Sequence, residues 1–455
     1  MLTLDTTSVA LRELRLRVRG AVAAPGDDAY DAARQAWNLA ADQRPTAVVH
    51  AQDASDVRAV VDLARAAGLQ VAPQGTGHNA VPLGALDDTI LLRTDAMRTV
   101  TLDIERRSAR VGAGAQWLDV TAPASEHGLA PLAGSSPDVG VVGYTLGGGM
   151  SWLGRQHGFA CNSVTAIEAV TADGQVRRIT ADQDPDLFWA MRGGGGAFAV
   201  VTALEFRLYD ASELSAGAIF YPVDRAPEVL RRWRDWMVDA PDAITTSARI
   251  LHVPPLPELP PEVAGQSFVV IDGAALAPRE VVERELRGLR ELGPVMDGFA
   301  EVPPVALSRI HMDPEEPVPA DGDHAVVGEL DDALLDGIVE LAGTPGETAL
   351  LMAELRQLGG AFARAPEGAG SRDRFEGESL LFAVGMIMDE ASGTMLRRDL
   401  RAFRDMTLHL RTDHYLNFAE RPEDRVHRPE VWERLAAIKG DVDPDDLIRS
   451  NHPIR

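Results

Sequence analysis

The run Val71-Ala-Pro-Gln-Gly-Thr-Gly-His-Asn79 carries strand-like sequence into a turn with two glycines and a histidine. Gly75 and Gly77 let backbone N–H groups approach a ligand with no Cβ in the way, and His78 aims an imidazole at whatever lies there. Thr76 and Asn79 sit beside it. A second tract, Gly134 to Gly149, has glycine at 134, 140, 143, 147, 148 and 149. Each glycine costs regular structure roughly 0.5–1 kcal/mol, so such density needs a compensating reason. Close passage of main chain along an extended, phosphate-bearing ligand supplies one. A third tract, Arg192-Gly-Gly-Gly-Gly-Ala-Phe-Ala-Val-Val201, follows Asp186-Leu-Phe-Trp-Ala190.

Common signatures are missing. There is no Gly-x-x-x-x-Gly-Lys-Ser/Thr loop, and Gly112-Ala-Gly-Ala-Gln-Trp117 puts tryptophan where a Rossmann fingerprint needs its third glycine. His409 and His414 are five apart and fall on different helical faces, and no His-Glu-x-x-His or cysteine cluster occurs, so no metal is expected. No Gly-x-Ser-x-Gly elbow supports a hydrolase.

Taken in order, these pieces resemble the FAD-linked oxidoreductases with a flavin domain of the vanillyl-alcohol oxidase or PCMH type, berberine-bridge-enzyme-like branch. The resemblance runs through Arg44-Pro-Thr-Ala-Val-Val-His50, Gln74-Gly-Thr-Gly-His78, Gly112-Ala-Gly-Ala-Gln-Trp-Leu-Asp119 and Gly140 to Gly149. It continues in Arg155-Gln-His-Gly-Phe-Ala-Cys-Asn-Ser-Val164, Asp186 to Gly196, Tyr415-Leu-Asn-Phe418 and Ile438 to Ile448. It implies FAD as cofactor, attached covalently to His78. It places Gly75, Thr76, Gly77, Asn79, Ser136, Val139, Gly140, Gly143, Gly147, Gly148, Asn162, Val200 and Asn417 around the flavin.

Where many relatives have the cysteine of Cys-Pro-Thr-Val-Gly, this chain has Ser136, whose hydroxyl forms no thioether; a single attachment is expected. Cys161, the only cysteine, reads as a small buried residue. The family's Tyr-x-Asn-Tyr reads Tyr415-Leu-Asn417-Phe418 here, which makes Tyr415 the expected base; a core aromatic is the other reading. A phenol ionises near pH 10, so a base needs a cationic or hydrogen-bonding neighbour. Tyr144 either faces substrate or packs against the ring. Valine at the position of Val139 goes with oxidases in the family, so O2 is the expected electron acceptor. The expected substrate is an alcohol or amine resembling a secondary metabolite. A carbohydrate, a dehydrogenase, and a redox-inactive flavin carrier or isomerase are the alternatives.

The elements that must position these residues are partly legible. Thr46 to His50 reads as a strand, Asp53 caps a helix over Ser55–Ala67 that Gly68 stops, and Leu69 to Pro73 is the next strand. This unit delivers His78 at a strand end, where α/β sheets hold ligands. Further strands are expected at 90–92, 109–111, 164–171 and 200–208. Beyond Tyr209 come strands at 214–223, 244–253, 266–271 and 379–388 and helices at 227–238, 279–292 and 392–410. Pro254 to Pro261 reads as a loop, and residues 311–324 as an acidic, mobile one. The fold class is α+β: a flavin domain from residues 1–210 and 410–455, with a substrate domain of antiparallel sheet backed by helices at 211–409 between them.

At 455 residues the chain exceeds a single core of about 250–300, consistent with two domains. Its net charge of −25 repels nucleic acid and anionic lipid, and a small-molecule partner is expected instead. One cysteine calls for no oxidising compartment. No stretch approaches the ~20 apolar residues of a membrane span, and an early acid in Met1-Leu-Thr-Leu-Asp5 argues against a signal peptide. The expected location is the cytoplasm.

Overall fold

The computed structural model describes residues 6–255, 257, 261–421 and 426–454; the proline run at 254–261 lies partly outside them. The architecture is α+β, with most strand pairs antiparallel.

The first sheet is mixed, in the order Val22–Ala23, Ala47–His50, Thr89–Arg93, Gln70–Gln74. Its last three strands are parallel. The crossover helix Ala54–Ala67 is capped as its sequence asks: the Asp53 carboxylate accepts from Ser55 N and Asp56 N, and Gly68 ends it at φ 70°. Val57, Val60, Val61 and Ala64 are fully buried on its inner face. A second, antiparallel sheet runs Val100–Asp103, Ser108–Gly112, Ala199–Arg207, Val164–Thr171, Val176–Ile179.

The C-terminus closes this half of the molecule. Val71 N donates to Leu447 O at 2.8 Å and Arg449 N to Val71 O at 2.9 Å, laying residues 447–449 along the mixed sheet. Buried Lys439 supports that return, its ammonium reaching Ala197 O, Ile448 O and the Asp443 carboxylate.

The third sheet has nine strands. Its central members are Leu214–Pro222, Ser267–Leu276, Ile244–His252, Met352–Gln357, Ser379–Met386 and Ala320–Val327. Helices Ala226–Met237, Arg279–Arg290, Asp332–Ala342 and Glu390–Thr407 supply Trp233, Leu286, Leu335 and Phe403 to the core on one face. Strand side chains alternate between faces. Ala248, Ile250, Ala353, Leu355, Leu381 and Ala383 therefore meet the helices. Their neighbours Arg249, Leu251, Met352, Arg356, Phe382 and Val384 line a cleft on the other side.

Two expectations change. The end of the segment read as an acidic mobile loop, from residue 320, belongs to strand Ala320–Val327, buried from Gly322 onward. Its early acids mask a run of apolar residues that pairs on both sides. Strand Arg411–Asp413 also joins this sheet, so the sheet continues past the boundary drawn at residue 410. Among the described residues no helix is long and apolar enough to cross a membrane, and no group of three or more His, Cys, Asp or Glu is placed for a metal.

Candidate functional site

A cleft of about 440 Å³ lies between the large sheet and the glycine tracts. Strand Gln70–Gln74 ends at its edge, and residues 75–79 form part of its wall. Gly77 has φ 88°, and a Cβ there would stand 2.9 Å from Ala36 Cβ, so the turn admits only glycine. The His78 ring stacks on Trp37 at 4.0 Å and 16°. Its Nδ1 meets the Thr76 hydroxyl at 2.7 Å, while Nε2 points to Asp138 Oδ2 at 3.4 Å. Both Asp138 oxygens, His78 Nε2 and Trp37 Nε1 are buried with no hydrogen-bond partner. Buried polar atoms are almost always satisfied, so this cluster marks a place built for a bound group.

The second glycine tract shapes the opposite wall. Tyr144 lies between Gly134 and Gly149, whose added Cβ atoms would approach its ring to 2.9 and 2.5 Å. Its ring packs edge-on to Trp117 at 5.2 Å, and its buried hydroxyl has no partner. Burial pushes its pKa well up. Asn417 sits against Gly147 and donates from Nδ2 to Tyr144 O at 3.0 Å and to the Tyr415 hydroxyl at 3.1 Å. The same Tyr415 oxygen accepts from Met150 N at 2.8 Å. Burial raises the Tyr415 pKa; the Met150 N–H, Arg356 and Asn417 pull it down without overcoming burial.

His78, Gly75, Thr76, Gly77, Asn79, Ser136, Val139, Gly140, Gly143, Tyr144, Gly147, Tyr415 and Asn417 all line the cleft. Three expected residues do not. Val200 is turned into the core while its strand neighbours Ala199 and Val201 face the cleft, as the pleat dictates. Asn162 acts at a distance, clamping residues 370–372 through bonds to Arg372 O (3.0 Å) and from Gly370 N (2.8 Å). Gly148 packs against Phe159 and the side of Tyr415. Of the four glycines of the third tract only Gly195 and Gly196 line the cleft; a Cβ on Gly193 would meet Arg372 N at 2.6 Å, so its bareness serves packing. Cys161 is buried, and desolvation pushes its thiol up to about 12.

Sequence reading missed the charged floor of the cleft. Arg249 pairs with Asp272 at 2.8 Å, and Arg356 with Glu354 at 2.7 Å while lying over the Phe418 ring at 4.9 Å. His311 Nδ1 holds Asp272 at 2.9 Å and its Nε2 stands 3.4 Å from Glu354. Asp313 Oδ2 accepts the Ser135 and Ser136 hydroxyls at 2.7 and 2.8 Å. Glu420 also lines the cleft; burial, with Asp321 beside it, pushes its carboxyl up to about 8. Arg449 faces the other end, donating to Leu83 O and Thr89 Oγ1, and no carboxylate among the described residues pairs with it. One signal was available: in Met352-Ala-Glu-Leu-Arg-Gln357 charges alternate with apolar residues at strand period.

Residues 45–180 match the FAD binding domain family. (R)-6-hydroxynicotine oxidase of Paenarthrobacter nicotinovorans is 28% identical over 96% of this chain and 97% of its own length. The crystal structure of 6-hydroxy-D-nicotine oxidase from Arthrobacter nicotinovorans superposes with TM-score 0.82 at 26% identity, covering 97% of this chain and 98% of that one. Wild-type BBE-like 1 of Physcomitrella patens has the same fold, with TM-score 0.83 at 18% identity over 98% and 99% of the two chains.

Proposed function

We propose that this chain is an FAD-linked oxidoreductase of the vanillyl-alcohol oxidase and PCMH type, berberine-bridge-enzyme-like, and acts as an oxidase of a small alcohol or amine, holding FAD through His78 alone. The observation that carries the reading is the cluster of Trp37 and His78, in the wall of a cleft shared with Tyr415, and Asp138 behind His78, whose buried polar atoms lack hydrogen-bond partners. The residues present fit the cofactor. The glycine tracts clear a path for it, Arg449 offers an uncompensated cation to its phosphates, and His78 stands where the ring would be anchored. Ser136, in place of a second anchor, is engaged with Asp313 instead.

FAD held there would supply the hydride acceptor for oxidising a C–H beside an O–H or N–H to C=O or C=N, with the N–H or O–H proton passing to water and O2 as the final acceptor of two electrons and two protons. Val139, in the cleft wall, supports O2 as the acceptor. Tyr415 acts as a hydrogen-bond donor. Its oxygen already accepts from Met150 N and Asn417 Nδ2, burial keeps it protonated, and its own hydrogen is free to hold the substrate heteroatom. This replaces the base role expected from sequence, because the nearby cation Arg356 is tied to Glu354. The apolar walls of Leu251, Met352, Phe382, Val384 and Phe418 favour an apolar molecule over a sugar.

The test is anaerobic mixing of yellow, purified protein with a panel of alcohols, amines and sugars, followed by air. The reading requires bleaching by an alcohol or amine, then recovery of colour with stoichiometric H2O2. Bleaching by sugars alone moves the substrate to carbohydrate. No bleaching by any of them leaves the flavin as a passive passenger.

A further inference from the structure

Among the carboxylates around the substrate half of the cleft, one has no guanidinium of its own. Each guanidinium there has its own carboxylate: Arg249 has Asp272, and Arg356 has Glu354. Asp272 is saturated further by Ser247 Oγ and His311 Nδ1. Glu420 is held mostly neutral at physiological pH by its burial. Arg449, the remaining lysine or arginine that lines the cleft among the described residues, is held beside Leu83 and Thr89. What is left over is Asp313. No lysine or arginine pairs with it among the described residues; the nearest basic atom is His311 Nε2, 3.9 Å from Oδ1. Oδ2 is taken by the two serine hydroxyls, which leaves Oδ1 open toward the cleft.

An unpaired carboxylate in a half-buried position is costly unless a ligand completes it. Protonation does not relieve this one. Burial pushes its pKa up, but His311, the Ser135 and Ser136 hydroxyls and Arg249 together hold it below the usual carboxylate range. The carboxylate is fixed in place, and apolar Met312, Leu251, Met352 and Phe382 line the same cleft. Ser136 ties it to the glycine tract that lines the same cleft.

We propose that Asp313 is the anchor for a protonated nitrogen, and that the substrates are small apolar molecules carrying an ammonium group. The inference rests on the oxidase reading for the identity of the cleft and narrows its alcohol-or-amine alternative to the cationic amine. Asp313 is a specificity determinant: its Oδ1 receives the N–H, and no basic atom stands closer to that oxygen than His311 Nε2 at 3.9 Å until the ligand arrives. An alcohol of the same shape satisfies the hydrogen bond and leaves the charge uncompensated.

The experiment uses the yellow holoprotein and Asp313→Asn, which keeps the side-chain shape and an acceptor oxygen for the serines. Matched pairs of benzyl, 2-phenylethyl and cyclohexylmethyl ammonium ions and alcohols are titrated by calorimetry and by flavin difference absorbance. The expected result is that at least one ammonium ion binds the wild type about 10- to 100-fold more tightly than its alcohol partner. Asp313→Asn should erase that preference. Equal affinities across all pairs, no measurable ammonium binding, or a preference that survives in Asp313→Asn would each overturn it. Failure of the oxidase reading looks different: no bleaching by any amine, with calorimetric ammonium preference intact.

Discussion

The contact between Gly147 and Asn417 allows a prediction whose size follows from the geometry. Gly147 has φ −82° and ψ 1°, a conformation open to any residue, so alanine there brings no backbone strain. Its Cβ would nevertheless overlap Asn417 Oδ1. The asparagine must then swing away and give up its bonds to Tyr144 O and the Tyr415 hydroxyl. Each such bond is worth about 0.5–1.5 kcal/mol, so Gly147→Ala should cost about 1–3 kcal/mol. At about 1 °C per kcal/mol for a chain of 455 residues this lowers the melting temperature by about 1–3 °C. Asn417→Ala should cost a similar amount through the same lost bonds. The decisive variant is the double one. With Asn417 already truncated the alanine at 147 has nothing to strike, so the pair should cost little more than Asn417→Ala alone. Melting of the four proteins closes a double-mutant cycle. Additive losses would refute the steric argument and show that Gly147 is needed for another reason.

Other outcomes follow from the same contacts. Tyr415→Phe removes the donor proposed to hold the substrate heteroatom and should slow flavin reduction about 100-fold, the loss typical of one donor aimed at a reacting atom. Because burial raises the phenol's pKa, the wild-type rate should show no fall from Tyr415 ionisation below about pH 10 in stopped-flow profiles. Asp272→Asn takes the negative charge from between Arg249 and His311 and should destabilise by about 3–5 kcal/mol at neutral pH, read by denaturant unfolding. Burial raises the Asp272 pKa, but Arg249 and His311 outweigh it and depress the folded value. Its contribution is therefore present above the unfolded-state pKa near 4 and lost as pH falls toward the folded value. The gap between wild type and variant should narrow below about pH 4; a gap constant down to pH 3 would contradict this.

What was legible in the chain depended on whether the signal was local. Asp53, the apolar face of 54–67 and Gly68 describe one helix completely, and its capping bonds follow the sequence. The turn at Gly75 to Asn79 was readable because glycine and histidine at a strand end restrict what the turn can do. Tyr415 was found only through a resemblance; its neighbours Met150 and Asn417 come from opposite ends of the fold and from the next turn. The charged floor was not read because Arg249, Asp272 and Glu354 lie on three different strands, each looking like an ordinary solvent-facing charge. Asp313 lay in a stretch whose acids suggested exposure, while Ser135 and Ser136, 178 and 177 residues away in sequence, draw it into the cleft. Val200 failed for a simpler reason: the tract was right by one residue and wrong by one pleat.

The account depends on FAD tethered at the imidazole between Thr76 and Asp138. Mass spectrometry of the proteolytic peptide containing His78, taken from protein isolated yellow, tests this most directly. The predicted result is that the peptide carries the mass of one FAD on His78 and that the peptide containing Ser136 is unmodified. An unmodified His78 peptide from fully yellow protein would contradict the tether, and protein that is colourless and takes up no FAD would contradict the flavin site itself.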